Sequence, residues 1–371
     1  MVSRLLSALD ARIQKARDPV ENACLRAERA ALLAREGQID AARKELETLR
    51  ARFDSRPHAV VSAWASLAEG LVAYFEKLGL PARDKFKRAL ALSRAAKAAS
   101  IQAVSAAWLA QMDLLSMDFE PFIEHLAEAL NTAPSTLHSA RSRAGLAIAI
   151  AYHWCERLDL ALPWYALARQ HATAEGDEAT LSALMHDMAW LRAVNARRIA
   201  VNGGPRPGNL QQVLLGAEST GHFDQRIGAS SLSSLVPILR AHVLVLLDRH
   251  AEALALFDQH LDSSLNQGLA RVQCSVLAEA AWCRMHAGDK SQAMAEARAV
   301  ETHIGTCDQP DERAAAHGRL AQLYALGGDP DAAARHRARA EAEWSVHSAN
   351  QQRLLALLGT LEPGESARPR A

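Results

Sequence analysis

The stretch HAGDKSQAMAEARAV, residues 286–300, decides the fold. A turn at Gly288 is followed five positions later by Ala293, then by Ala297 and Val300. That places small and then bulkier side chains on one face of a helix. The same grammar recurs in GQIDAARKEL (37–46), with Gly37, Ala42, Leu46 and then Leu49, and in ALGGDPDAAARHRARA (325–340), with Gly328, Ala333 and Ala340. LLDRHAEALALFDQH (246–260) offers Asp248, Ala253 and Phe257.

Anchoring on the small residue extends the series. LPARDKFKRA supplies Ala82, Phe86 and Ala89; FEPFIEHLAEA supplies Phe122, Leu126 and Ala129; DLALPWYALA supplies Ala161, Tyr165 and Ala168. The anchors 42, 82, 122 and 161 are 40, 40 and 39 apart, and 253, 293 and 333 are again 40 and 40 apart. Twelve residues before each stands Ala30, Gly70, Ala110, Ala149, Ala241, Ala281 or Ala321. Small side chains at matched places let two helices cross closely while bulkier neighbours fill the grooves.

The gap from 161 to 253 holds two more units and a short insertion. Ala189 marks a fifth first helix over about 178–200, and Leu210, Leu214 and Ala217 mark its partner over about 209–220. Between them VNGGPRPGN excludes helix, and the insertion is assigned to 201–208. Residues 1–18 read as an N-terminal capping helix (Val2, Leu6, Leu9), 19–347 as the repeat array, and 348–359 as a C-terminal capping helix opened by Ser348 and Gln351. One helix continuing from about 331 is the alternative to that last element. The tail 360–371 is expected to be mobile.

Composition agrees with a helical array. Lys plus Arg and Asp plus Glu are each 42 in 371 residues, so no cationic surplus is present to displace counterions from nucleic acid or an anionic membrane. The hydrophobic share, 49% with aromatics only 5%, is largely alanine and leucine, which lose little freedom in a helix. Five scattered cysteines without a CxxC spacing do not make a disulfide framework. The opening MVSRLLSALDARIQKA has no long apolar core, and no stretch approaches a membrane span. A cytoplasmic setting is the expectation.

The grammar resembles the tetratricopeptide repeat (TPR), in which paired antiparallel helices carry small residues at two fixed places. The resemblance covers about eight units. Their period of 40 exceeds the usual 34 and is similar to the helical sensor regions of bacterial transcription activators, peptide-pheromone receptors and diguanylate-cyclase-type proteins. It implies an all-α, right-handed α-α superhelix of about eight helix pairs. First helices would line a concave face, and each pair would bury its apolar stripe only against its neighbours, so that stability is nearly additive. HEAT-like repeats, with a natural period of 40–47, are the structural runner-up.

Motifs for chemistry are absent. There is no HExxH, GxSxG or SxxK, no nucleotide loop in GGPRPG, and no two histidines four apart among the fifteen. No catalytic residue, cofactor or metal is therefore expected. The more informative positions follow the small first-helix residue: Trp190, His242 and Trp282, with Gln322 next in the series. His186 precedes Trp190 by four, His286 follows Trp282 by four, and His153 and Trp154 end the preceding first helix. In a TPR-like stack these face the groove, where aromatic and imidazole side chains offer large contact area with a polar handle. Each taken alone is also an ordinary core residue. Arg192, Asp187 and Glu279 flank the series. Tyr165, Phe257, Trp64 and Trp108 read as packing. The expected function is a non-catalytic protein- or peptide-binding scaffold, with a ligand- or signal-peptide-responsive regulatory module as the competing class and an enzyme with an inter-helix site as a third. A small signalling ligand is a further candidate partner; nucleic acid and membrane are not.

Overall fold

The computed structural model describes residues 3–53, 57–77, 79–205, 208–228 and 235–362. Among them every regular element is a helix. The first nine are α1 (Arg4–Lys15), α2 (Pro19–Arg35), α3 (Ile39–Phe53), α4 (Ala59–Lys77), α5 (Arg83–Ala95), α6 (Ala99–Leu115), α7 (Phe119–Thr132), α8 (His138–Trp154) and α9 (Leu158–Glu175). They are followed by α10 (Glu178–Val201), α11 (Leu210–Ile227), α12 (Leu235–Leu246), α13 (His250–Asn266), α14 (Gln273–His286), α15 (Lys290–Ile304), α16 (Pro310–Gly327) and α17 (Pro330–Leu358).

Contacts divide the chain into two compact units. Unit 1 comprises Met1–Leu184, Phe223–Leu232 and Arg353–Ala371; unit 2 comprises Met185–His222 and Ser233–Gln352. Unit 1 holds the hairpins α2/α3, α4/α5, α6/α7 and α8/α9, with α2, α4, α6 and α8 adjoining in that order. Unit 2 holds α12/α13 and α14/α15, with α14 packed on α12 and α16, and α16 joined to α17 through His317 and His336.

The sequence grammar has a direct structural cause. All seven anchors are buried, from Ala42 at 0% exposed to Ala333 at 3%. Of their first-helix partners, Gly70 shows why bulk is excluded: a Cβ there would lie 2.5 Å from the Phe86 ring. The turn before six of the anchors is a single device. The residue five positions earlier has positive φ: Gly37, Met117, Glu156, Asp248, Gly288 and Gly328. The next amide then closes back on the helix, as in Gln38 N to Leu33 O (2.8 Å) and Arg157 N to Tyr152 O (2.9 Å). Glycine adopts this conformation freely, whereas Met117, Glu156 and Asp248 adopt it against their Cβ.

Three expectations need correction. Residues 348–358 are not a separate C-terminal cap, because α17 runs unbroken from Pro330. Alanine, leucine and arginine around Ser348 give it no reason to stop. Nor are packing contacts restricted to adjacent pairs. In unit 1 Arg35, at the end of α2, is ion-paired with Asp177 and donates to Thr180 Oγ1 at 2.7 Å, across 145 residues. In unit 2 Arg197 of α10 pairs with Glu312 of α16 at 2.8 Å, both side chains under 5% exposed. Such pairs couple distant repeats, and a purely nearest-neighbour sum no longer describes either unit. The insertion starts one residue later than expected, since Val201 still belongs to α10; residues 206 and 207 and the tail from 363 lie outside the described residues.

Candidate functional site

In unit 2 the aromatic and imidazole side chains singled out by the sequence lie on α10, α12 and α14, with α16 packed beside them. Trp190 of α10 stacks on His186 (ring centroids 6.0 Å apart) and meets His242 of α12 edge-on at 5.6 Å. His242 in turn meets Phe257 at 5.8 Å. His186 and His242 are buried while Trp190 is half-buried. Neither ring nitrogen of His242, nor Nε2 of His186, has a hydrogen-bond partner among the described residues. Burial, with the charges of Arg197 and Arg319, pushes the His242 pKa well below the usual imidazole value, so the ring is neutral.

Trp282 of α14 lies beneath the Arg319 guanidinium, 4.6 Å from the ring centroid. His286 is 4.4 Å away on its own helix, and His250 stacks on His286 at 4.2 Å. Burial and the Arg319 charge lower His286; His250 is lowered by burial and by His286. Arg319 is itself fixed by Glu279, with Nη2 3.0 Å from each carboxylate oxygen. Glu279 is therefore a buried ion-pair partner and not a solvated flank.

The structure thus gathers five of the seven groove candidates into unit 2, in two clusters: His186–Trp190–His242 and Trp282–His286. His153 and Trp154 belong to unit 1 and turn to their own packing. His153 is buried with Nδ1 3.1 Å from Tyr165 Oη, and Trp154 lies against Phe119 at 6.2 Å. Arg192 and Asp187 are half-buried.

Sequence reasoning missed the recess beside these clusters. The end of α10, α16 and α17 enclose about 720 Å³. Gly318, Ala321 and Ala325 make a floor of small residues, with Arg198, Gln322, Arg337 and Trp344 around it. Gln322 receives Arg319 Nη1 on its Oε1 at 2.7 Å and donates through Nε2 to the carbonyls of Ala200 and Val201 at 3.1 and 3.2 Å. Trp344 donates to Asn202 Oδ1 at 3.1 Å. Gly318 is small for a reason: a Cβ would sit 3.1 Å from Val201. Gln322, next in the aromatic series, was the one signal pointing here.

Unit 1 has a different interior. Its inner first-helix residues leave about 50 Å³, among Leu67, Leu71, Trp64 and Trp108, with the Arg143 guanidinium 3.8 Å over Trp108. A second recess in unit 2, about 420 Å³, contains His317 and His336 with their Nδ1 atoms 2.9 Å apart. Burial and the neighbouring His336 push His317 down to about 4. Among the described residues no three histidine, cysteine or acidic groups converge as a metal site. None of their helices is long and apolar enough to cross a membrane.

No family model and no curated protein sequence matches the chain. In shape it is similar to the crystal structure of a Rap protein complexed with competence and sporulation factor. The TM-score is 0.57 at 9% identity, over 93% of this chain and 92% of that one. At that identity the likeness is one of fold. It agrees with the all-α, TPR-like helical-repeat class expected from the sequence.

Proposed function

We propose that the chain is a non-catalytic scaffold that binds a peptide or protein segment on unit 2. The observation carrying this reading is the 720 Å³ recess, whose small-residue floor is rimmed by Trp344, Gln322, Arg198 and Arg337. Its size suits several side chains of a bound segment, and its lining combines apolar area with a few orienting polar groups. Trp344 is the anchor because its ring is half-buried and its Nε1 is satisfied by Asn202, so a ligand stacks on it without stranding a donor. Arg337 is exposed and favours an acidic residue or terminal carboxylate on the ligand. Trp282 acts through Arg319, which orients Gln322. Trp190, half-buried and edge-on to His242, adds a second contact.

The regulatory reading is supported by one observation, the fold shared with a Rap protein solved with competence and sporulation factor. Here the bound segment is a signal, and its occupancy of the recess shifts the segment 198–203. The setting is cytoplasmic in either reading. The test is affinity capture with the unaltered chain and with Trp344→Ala. Recovery of the partner is expected to fall at least tenfold with the variant, while its thermal midpoint stays within a few degrees. Equal recovery removes the recess from the function.

A further inference from the structure

The inner surface of unit 1 is covered by the chain's own first helix. Ser3 caps α1, its Oγ accepting from Leu6 N at 3.1 Å; the helix packs on α2 and turns Leu5 and Leu9 toward a wall contributed by α2, α4, α6 and α8. Trp64, Leu71, Trp108 and Arg143 face those leucines across the remaining 50 Å³. The fit is incomplete in two ways. The void is large enough to accept larger side chains than leucine. Beneath α1, Glu175 Oε2 is buried with no hydrogen-bond partner among the described residues. Burial and the Asp177 charge, partly offset by Arg35, push this carboxyl up to about 7.

The polar contacts holding α1 are few: Asn22 Nδ2 donates to Ile13 O at 3.0 Å, and the rest are exposed ion pairs. Its ion pairs, Asp10 with Arg29 (2.6 Å) and Arg12 with Glu28 (3.7 Å), lie at partners 27–60% exposed to solvent. Exposed pairs of this kind contribute little, because water and salt screen them. The apolar face of Leu5, Leu6 and Leu9 supplies most of the attachment.

We propose that the face beneath α1 is a docking groove for an amphipathic helix of a partner protein, and that α1 is its resident competitor. The partner helix carries large apolar residues four apart in place of Leu5 and Leu9, long enough to fill the void. It carries an acidic residue next in sequence to meet Arg29, as Asp10 does, and a hydrogen-bond donor in reach of Glu175. Such a helix gains both the buried area and the carboxyl contact that α1 forgoes. The groove lies wholly in unit 1 and is independent of the unit 2 recess.

The experiment uses a fluorescent synthetic peptide of residues 1–18, titrated into the full chain and into full-length Leu5→Asp/Leu9→Asp, in which α1 no longer competes. The expected result is a Kd at least tenfold lower for the variant, with no binding by a peptide carrying the same two substitutions. Equal affinity for both chains, no binding to either, or undiminished binding by the substituted peptide would each overturn the proposal. If the variant does not fold, hydrogen exchange on the unaltered chain decides: α1 amides at least tenfold faster than those of α2 support displacement, and equal rates refute it. The peptide is not a ligand for the recess, so a negative result leaves the unit 2 reading standing.

Discussion

Both units pin distant first helices together with a buried arginine–carboxylate pair, yet one interior is filled and the other open. Unit 1 joins Arg35 to Asp177 and leaves about 50 Å³ among leucines and tryptophans. Unit 2 joins Arg197 to Glu312 and keeps about 720 Å³ beside them. The difference comes from what lines each wall. In unit 1 large apolar groups such as Leu67 and Leu71 meet, and α1 closes over them. In unit 2 Gly318 and Ala321 stand where bulk would fill the space, and buried charge draws the walls into fixed positions. One repeat grammar therefore yields a filled face and an open one.

Breaking the two pins is the strongest way to test this comparison. Arg197→Ala leaves Glu312 buried without its cation, and a loss of about 3–5 kcal/mol is expected in denaturant unfolding of unit 2. Arg35→Ala is expected to cost less, because the Arg35 side chain is 12% exposed against 4% for Arg197 and water partly replaces it. Equal losses would mean that the two pins are equivalent.

The units are also expected to respond to pH with opposite sign. Glu175 in unit 1 holds its proton up to about 7 when folded, above its ordinary value, so its contribution fades as pH rises from about 4.5 to 7. His317 in unit 2 stays neutral down to about 4, while the unfolded chain takes up a proton near 6.5; its contribution fades as pH falls across that window. Each slope is at most about 1.4 kcal/mol per pH unit, and solvent screening reduces it. Glu175→Gln should remove the first trend and His317→Asn the second, read from thermal midpoints between pH 4 and 7.5. Unchanged pH profiles in both variants would contradict the assignment.

The smallest effect concerns the shared hairpin turn. Met117→Gly and Glu156→Gly relieve a left-handed residue at about 1–2 kcal/mol but add about 0.4–1 kcal/mol of unfolded-chain entropy. A net gain of about 0.5–1 kcal/mol is expected for each. A loss in both would show that side-chain packing at the turn outweighs the backbone.

Much of the fold was legible because close helix crossing demands small residues, and those recur in the chain. Ala42, Ala253 and Ala293 are buried where their spacing places them, and α10 occupies nearly its expected span, while α11 runs seven residues past the expected end at 220. The continuity of α17 was less visible, since Ser348 and Gln351 imitate a helix start that the preceding turns never interrupt. The site was only partly readable. Trp190 and His242 meet each other, with His242 buried where the sequence placed it facing a groove, and Arg197, Glu312 and Arg319 look like ordinary surface charges in the sequence. Their burial depends on helices up to 115 residues apart, which no local period encodes. Trp344 follows the last anchor on a second helix, outside the series that pointed to the groove.

The central claim, that the partner lost on Trp344→Ala sits in the unit 2 recess and not on the unit 1 wall covered by α1, is tested most directly by site-specific photo-crosslinking of that partner. A photoreactive residue at Ser345 in the recess is expected to yield the crosslinked partner, and one at Ser139 on the unit 1 wall to yield at most a tenth as much. Crosslinking from Ser139 with none from Ser345 would contradict the account.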